Sequence, residues 1–354
     1  MSPRAAIRSA LVPLSRVLTR RKPRVLMYHR FGLPGQFRRL PVNVFEQQLR
    51  FLLDNFTVLP LQSIVSKLLA GETLPARAVA LTVDDAYEDF YSVAYPVIEK
   101  YRVPVTLYVV SAFADGTEWL WMDKIQYLMR ATPDGRYEVP VNGTSTTIQL
   151  NTTESREVAW ELLADHALGL AADARVTFVR DVEQALGTPI PREAPPEFRS
   201  VNWDQLRAMD PALVEVGCHS MTHPILSLCR PEQQEIEIAG AKASLEAHVQ
   251  RPVRSFCYPN GRSEDYDQNC ITIARRAGFT HAVTATSGYV EPSSKHFEIP
   301  RVGAPTSVHE LERHLDGVSW LAGQADFSGR RMFIASTLGL AAARSEYSSV
   351  RDLL

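Results

Sequence analysis

The sequence predicts an α/β fold, a partial (β/α) barrel of about seven parallel strands with one large inserted segment. Three observations predict it. Seven short runs are continuously apolar and β-branched, as strands buried in a parallel sheet are. Helical patterns lie between many of them, and strands alternating with helices build parallel sheets. With 354 residues, 45% hydrophobic and 22% charged, the chain is long enough for one large α/β domain with insertions, and two domains are possible.

Residues 1–23 form a basic amphipathic N-terminal segment. Ile7, Leu11, Leu14 and Leu18 recur at helical spacing among Arg4, Arg8, Arg16, Arg20, Arg21 and Lys22, with Pro13 interrupting. Both a helix lying on a membrane and a helix packed on its own domain fit that pattern. The first strand is Arg24–Tyr28. A helix over Val44–Asn55 follows, apolar at 45, 49, 52 and 53, then strands over Ala78–Val83 and Val103–Val110.

The next interval is too long for a simple crossover, so an insertion is expected at about 114–200. Trp119–Leu128 and Thr153–Leu170 read as helices. Tyr137–Leu150 reads as a hairpin turning on Asn-Gly, and PIPREAPPE closes the segment. A lid or substrate-selecting wall and a structural elaboration fit it equally. Beyond it come the strand Leu213–Cys218, a long helix over Pro231–Val249 and the strand Val253–Tyr258. A helix over Asp267–Ala277 closes on Gly278 and precedes the strands Phe279–Thr284 and Phe297–Val302. The barrel is expected over 24–320, and 321–354 as a C-terminal helical segment.

A net charge of -2 gives no global field for nucleic acid, and none is expected as a partner. Cys218, Cys229, Cys257 and Cys270 contain no C-x-x-C pair, which favours a reducing compartment; Cys218 and Cys257 lie in apolar strand runs and read as small core residues, with metal ligation as the alternative. The N-terminus lacks a continuous apolar stretch for export, and no run approaches the length of a membrane span. A cytoplasmic location is expected; peripheral contact at the inner membrane face through the basic N-terminal segment is the alternative to packing that segment on its own domain.

Asp84-Asp85 closes the run AVALTV. Adjacent carboxylates repel, which is tolerable where one binds a cation and a cationic partner holds the other. Alone, such a pair is ordinarily a solvated loop. The sequence His219-Ser-Met-Thr-His223 follows another buried strand, and histidines at this spacing can face one cation. Asp85, His219 and His223 then make a two-His, one-carboxylate set, which leaves positions open for water and substrate. His29, Asp84, Asp85, His219, Tyr258 and Arg301 all fall at or just after strand C-termini, the end that carries active sites in α/β barrels. That convergence argues for an enzyme.

LTVDDAYEDFY, HSMTHPIL and FCYPNG together resemble motifs one to three of the polysaccharide deacetylases, carbohydrate esterase family four or the NodB homology domain. VLMYHRFG and IPRVGA resemble its exopolysaccharide-type branch, and the likeness spans residues 24 to 304 apart from the insertion. The resemblance implies a NodB-like barrel and a hydrolase removing acetyl from an N-acetylated amino sugar. It implies one divalent metal ion, zinc, on Asp85, His219 and His223, with Asp84 as base. It also implies Arg301 holding the base, a backbone N–H at Tyr258 on the oxyanion, and His29 as general acid. An amidase acting on a non-sugar amide and a non-catalytic glycan-binding relative are the alternatives.

Three departures stand out. Ala86 replaces the glycine that ends the first motif, a harmless change if φ is negative there. The arginine before the third-motif tyrosine is missing, where Ser255 and Phe256 stand, and Arg301 is its replacement. The late histidine acid has no match in His296, His309 or His314. Trp119, Trp121 and Trp203 read as core residues able to stack on sugars, and Asp123 as one that reaches the site from the insertion without a role. His166, His248 and His281 are not expected to be ligands. The sequence does not specify an oligomer.

Overall fold

The computed structural model describes residues 3–36, 38–291 and 294–321. Seven parallel strands form a ring: β1 (Arg24–Tyr28), β2 (Ala78–Val83), β3 (Val105–Val109), β4 (Val214–Cys218), β5 (Ser255–Cys257), β6 (His281–Ser287) and β7 (Ile299–Gly303). They follow one another in chain order, and β1 closes the ring by pairing with both β7 and β2. The expected barrel is present, complete with one strand fewer than the common (β/α) barrel. All seven strand runs in the sequence form strands, Arg24–Tyr28 and Ala78–Val83 with the expected ends and the other five with ends shifted by a few residues.

Strand alternation sorts side chains between two cores. Val79, Leu81 and Val83 of β2 face outward into the main apolar cluster beneath the helices. A second cluster collects Val25, Ala80, Tyr108, Cys257, Val283 and Ile299, from six different strands, and so lies inside the ring. Leu61, Ile64 and Val65 of the helix Leu61–Leu69 join it and seal the end where the strands begin. Gly217 makes room for this filling, because a Cβ there would lie 2.4 Å from the Tyr108 ring. The opposite end of the interior is polar.

Between β3 and β4 the chain builds a helix α1 (Trp121–Ala131), a hairpin (Arg136–Val141 with Thr144–Gln149) and helices α2 (Thr153–Leu168) and α3 (Ala172–Leu186). The hairpin turns on Asn142 and Gly143, both at positive φ, as Asn-Gly favours. Ile125, Val139, Trp160, Leu163 and Val182 anchor an apolar core of its own. The segment returns to the barrel at Arg199–Val201. There the Val201 N–H donates to Ala86 O and the Glu88 N–H to Arg199 O, stitching the insertion to the loop after β2.

The stretch expected as one helix over Pro231–Val249 is interrupted. Pro231–Glu235 and Ala241–Val249 are α-helical, but Ile236–Gly240 between them is a π turn. The apolar stripe alone cannot reveal such a register change, and π turns often mark working sites.

The helix Pro3–Leu18 packs on its own chain. Arg8 pairs with Asp316 at 2.8 Å, and Ser15 Oγ donates to Asp316 O. Leu14, Val17 and Leu18 nevertheless remain exposed on it. Among the described residues no helix is long and apolar enough to cross a membrane. Of the expected C-terminal helical segment, only Leu321 falls among the described residues.

Candidate metal centre and active site

Asp84 continues the interior file of β2, so alternation alone aims its carboxylate into the barrel mouth. Asp85 would point away. Instead Asp85 and Ala86 adopt φ of +67° and +57°, and this left-handed turn brings Asp85 back beside its neighbour. The condition under which Ala86 would be harmless, a negative φ, is therefore not met. The backbone here suits glycine, and Ala86 bears a cost of about 1–2 kcal/mol. His223 and Ser220 are also left-handed. Strain of this kind gathers where the surrounding structure imposes a functional geometry.

Asp85 Oδ1 lies 3.4 Å from both His219 Nε2 and His223 Nε2. Two ligand atoms on a tetrahedral ion, each at about 2.0–2.1 Å, stand about 3.3 Å apart. Asp85 Oδ1 is buried and has no hydrogen-bond partner. His219 Nδ1 sits 2.8 Å from Cys257 O, a bond only a protonated Nδ1 makes, so Nε2 presents its lone pair. Burial holds both imidazoles neutral, pulling the His219 and His223 pKa values down. Burial, reinforced by Asp84, pushes the Asp85 carboxyl well above the usual range, a burden a cation would remove. The three residues fit a divalent metal.

A second grouping, Asp84 with His219 and Cys257, also falls within ligating distance. It fits less well. The Arg301 guanidinium stands 3.2 Å from Cys257 Sγ and bonds both Asp84 oxygens, so a cation already fills that corner.

Arg301 is almost fully buried and grips Asp84 in a bidentate fork at 2.6 and 2.7 Å. It also donates to Thr82 Oγ1 and Thr284 O, which fixes its plane. Burial raises the Asp84 pKa, but Arg301 outweighs it and holds the carboxyl far below its ordinary value. His29 Nε2 stands 3.8 Å from Asp84 Oδ2. Burial lowers its pKa to about 4, against the pull of Asp84.

Tyr258 is the expected site residue that the structure turns away. Its phenol donates to Phe297 O and its ring stacks on Tyr266. Its backbone N–H reaches Val283 O at 3.3 Å along the sheet edge. That donor is thus engaged in strand pairing, which the motif alone does not reveal.

Other contributors come from the insertion, where the sequence offered Trp121 as a core residue able to stack on sugars and did not offer Met122. Trp121 and Met122, at the start of α1, line the metal pocket with Leu168, Met27 and Asn260. Trp121 Nε1 is buried there without a partner. Trp119 is a core residue, as expected, and Trp203 stacks on His248. Asp123 accepts from the Tyr87 phenol just beyond the pocket wall.

Glu237, buried in the π turn, accepts from the Met221 and Thr222 N–H groups and from Thr222 Oγ1. It thereby fixes the loop joining His219 to His223, while Ser220 Oγ caps the His223 N–H. A glutamate on a helix face far along the chain carries no sequence signal for this role.

The profile of the polysaccharide deacetylase family matches residues 71–282. That span contains Asp84, Asp85, His219 and His223 but neither His29 nor Arg301. YxkH of Bacillus subtilis, a polysaccharide deacetylase by name, is 35% identical over 89 residues, 24% of this chain and 31% of that protein. The match thus spans about a third of that relative. Two solved structures share the fold. The Streptococcus pyogenes deacetylase PplD, in complex with acetate, aligns at TM-score 0.56 and 19% identity over 84% of this chain and 99% of that one. IcaB from Ammonifex degensii aligns at 0.53 and 20%, over 84% and 97%. The matched profile covers more than half of the sequence, and the ring of strands is the one these structures share: the chain belongs to the polysaccharide deacetylase family.

Proposed function

We propose that this chain is a metal-dependent hydrolase that removes the acetyl group from an N-acetylated amino sugar. Its substrate is a glycan or a sugar-lipid or nucleotide-sugar precursor. The observation that carries this reading is the buried Asp85 oxygen, without a hydrogen-bond partner and 3.4 Å from two imidazole nitrogens. When bound, a divalent ion such as zinc on these ligands supplies Lewis acidity toward the acetyl carbonyl and acidifies water.

The protein's own groups handle the protons. Asp84 takes the proton of the attacking water, with Arg301 holding its two oxygens in place. The same fork makes Asp84 a weak base that cannot keep the proton. His29, neutral at rest and 3.8 Å away, is the stronger acceptor of the two. Once charged, it returns the proton to the departing amine, which leaves poorly without one. Trp121 Nε1 supplies a further donor to the substrate from the insertion side. In this reading the Tyr258 N–H, held by Val283 O, stabilises no oxyanion.

The four free thiols fit a reducing compartment. Leu14, Val17 and Leu18, exposed beside Arg16, Arg20 and Arg21, fit peripheral contact with an anionic membrane face. The reading is tested by acetate release from N-acetylated sugars set against ring amides and non-sugar acetamides. Turnover of the sugars alone, abolished by chelation and restored by zinc, is the expected result. Turnover of the non-sugar amides alone would assign the site to another amidase.

A further inference from the structure

The reacting groups are closed off. Asp84, Asp85, His219 and His223 are each only 2–4% exposed. The cavity they share measures about 20 Å³, room for about one water molecule and not for a sugar ring. The barrel mouth supplies one side of that cavity, and the insertion covers it with Trp121, Met122 and Leu168.

The cover is held as a unit. Trp121 begins α1, Leu168 ends α2, and Arg175 of α3 ties the two together. Its buried guanidinium donates to Ala167 O at 2.8 Å and to Leu170 O at 2.9 Å, on either side of Leu168. It also lies 4.8 Å from the centre of the Trp121 ring. A change of one side-chain rotamer therefore does not clear the site; the three helices have to shift together.

The insertion is built for such a shift. Its helices and hairpin pack on one another far more than on the barrel strands and helices, around an apolar core of their own. The chain enters it past Gly116, at φ of +70°, and returns through the stretch holding Pro189, Pro191, Pro195 and Pro196. Trp119 of the entry and Phe198 of the return meet Tyr87, Val110 and Phe113 of the barrel in one apolar cluster, a natural pivot. Beyond that cluster the boundary is crossed by polar contacts. Arg38, in the loop after β1, pairs with Glu161 of α2 at 3.5 Å and lies 3.8 Å over the Trp160 ring. The Tyr87 phenol donates to Asp123 at 2.7 Å. Polar contacts of this kind exchange for water at small net cost, which a shared apolar core does not allow.

We propose that the insertion is a lid, closed in this structure, that swings about the Trp119–Phe198 cluster to admit the sugar and closes over it. The proposal rests on the reading of the metal centre as the reacting site. Closure excludes bulk water from the reaction and brings the unpaired Trp121 Nε1–H onto the bound sugar.

The test locks the lid. Arg38→Cys and Glu161→Cys are introduced together into the full-length, zinc-loaded protein, with Cys229→Ser removing the native thiol that is not buried. A bis-maleimide carrying an internal disulfide links the new pair. The linked protein should release acetate from an N-acetyl sugar at least about tenfold more slowly, because the open form is no longer populated. It should also give up its zinc to EDTA more slowly, and reduction of the linker should restore both rates. Each single-cysteine variant, treated alike, should keep both. Native turnover in the linked protein would overturn the proposal and leave side-chain motion alone to open the site. If the unlinked protein turns over no sugar, zinc release decides. Slowing by the linker then keeps the lid and drops the deacetylase reading, whereas an unchanged rate drops the lid.

Discussion

At the scale of single residues, the site separates two carboxylates that are neighbours in sequence and opposite in electrostatics. Arg301 pulls Asp84 down, while burial pushes Asp85 up. Pairs whose surroundings drive their pKa values apart are the ones that divide acid, base and ligand roles. Within this division the proposed mechanism makes His29 the group that carries the proton to the leaving amine. His29→Gln should therefore retain metal and lower kcat on the N-acetyl sugar by about 10²–10⁴-fold. An activated acetyl ester, whose leaving group needs no proton, should lose far less. Equal losses on amide and ester, measured side by side, would remove His29 from that role. The metal set was legible in the sequence because Asp-Asp and His-x-x-x-His each follow a buried strand. Arg301 was found by its position at a strand end. Trp121 was named only as core or sugar-stacking, because a sequence does not show that its N–H lacks a partner.

At the scale of elements, backbone irregularities place the candidate metal ligands. Asp85 and His223 point inward because their residues, with Ala86 and Ser220, adopt left-handed conformations. The π turn Ile236–Gly240 brings the Glu237 carboxylate under the loop that carries both histidines. Partners that orient metal ligands typically change affinity by about 10–100-fold when lost. Glu237→Ala should weaken zinc binding by that factor with the fold retained, as a chelator competition would read. Unchanged affinity would make Glu237 a packing residue only. Strands were legible because seven apolar runs have few other solutions. The π turn was not, since one extra residue in a helix leaves the apolar stripe almost intact. The engaged Tyr258 N–H escaped for a related reason: sheet pairing at a strand end depends on the register of its neighbour, here Val283.

At the scale of the whole molecule, the insertion is a wall of the site as well as an appendage. It has an apolar core of its own, its return at Arg199–Val201 is bonded to Ala86 and Glu88 in the loop after β2, and α1 delivers Trp121 to the pocket. Between the two readings the sequence left open, this geometry favours the substrate-facing one. Trp121→Phe keeps an aromatic face but removes the N–H together with one ring of the indole. It should raise KM by about tenfold, the worth of one hydrogen bond of about 1.4 kcal/mol, with metal content unchanged. An unaltered KM would return Trp121 to the core.

The central claim is that Asp85, His219 and His223 hold the metal while Asp84 moves the proton. Metal content and acetate release measured together on the native protein, Asp84→Asn and His219→Ala test it most directly. Asp84→Asn should keep its metal and lose turnover by at least about 10²-fold, whereas His219→Ala should lose both. An Asp84→Asn protein that still releases acetate at the native rate, or a His219→Ala protein that still holds stoichiometric metal, would contradict the account.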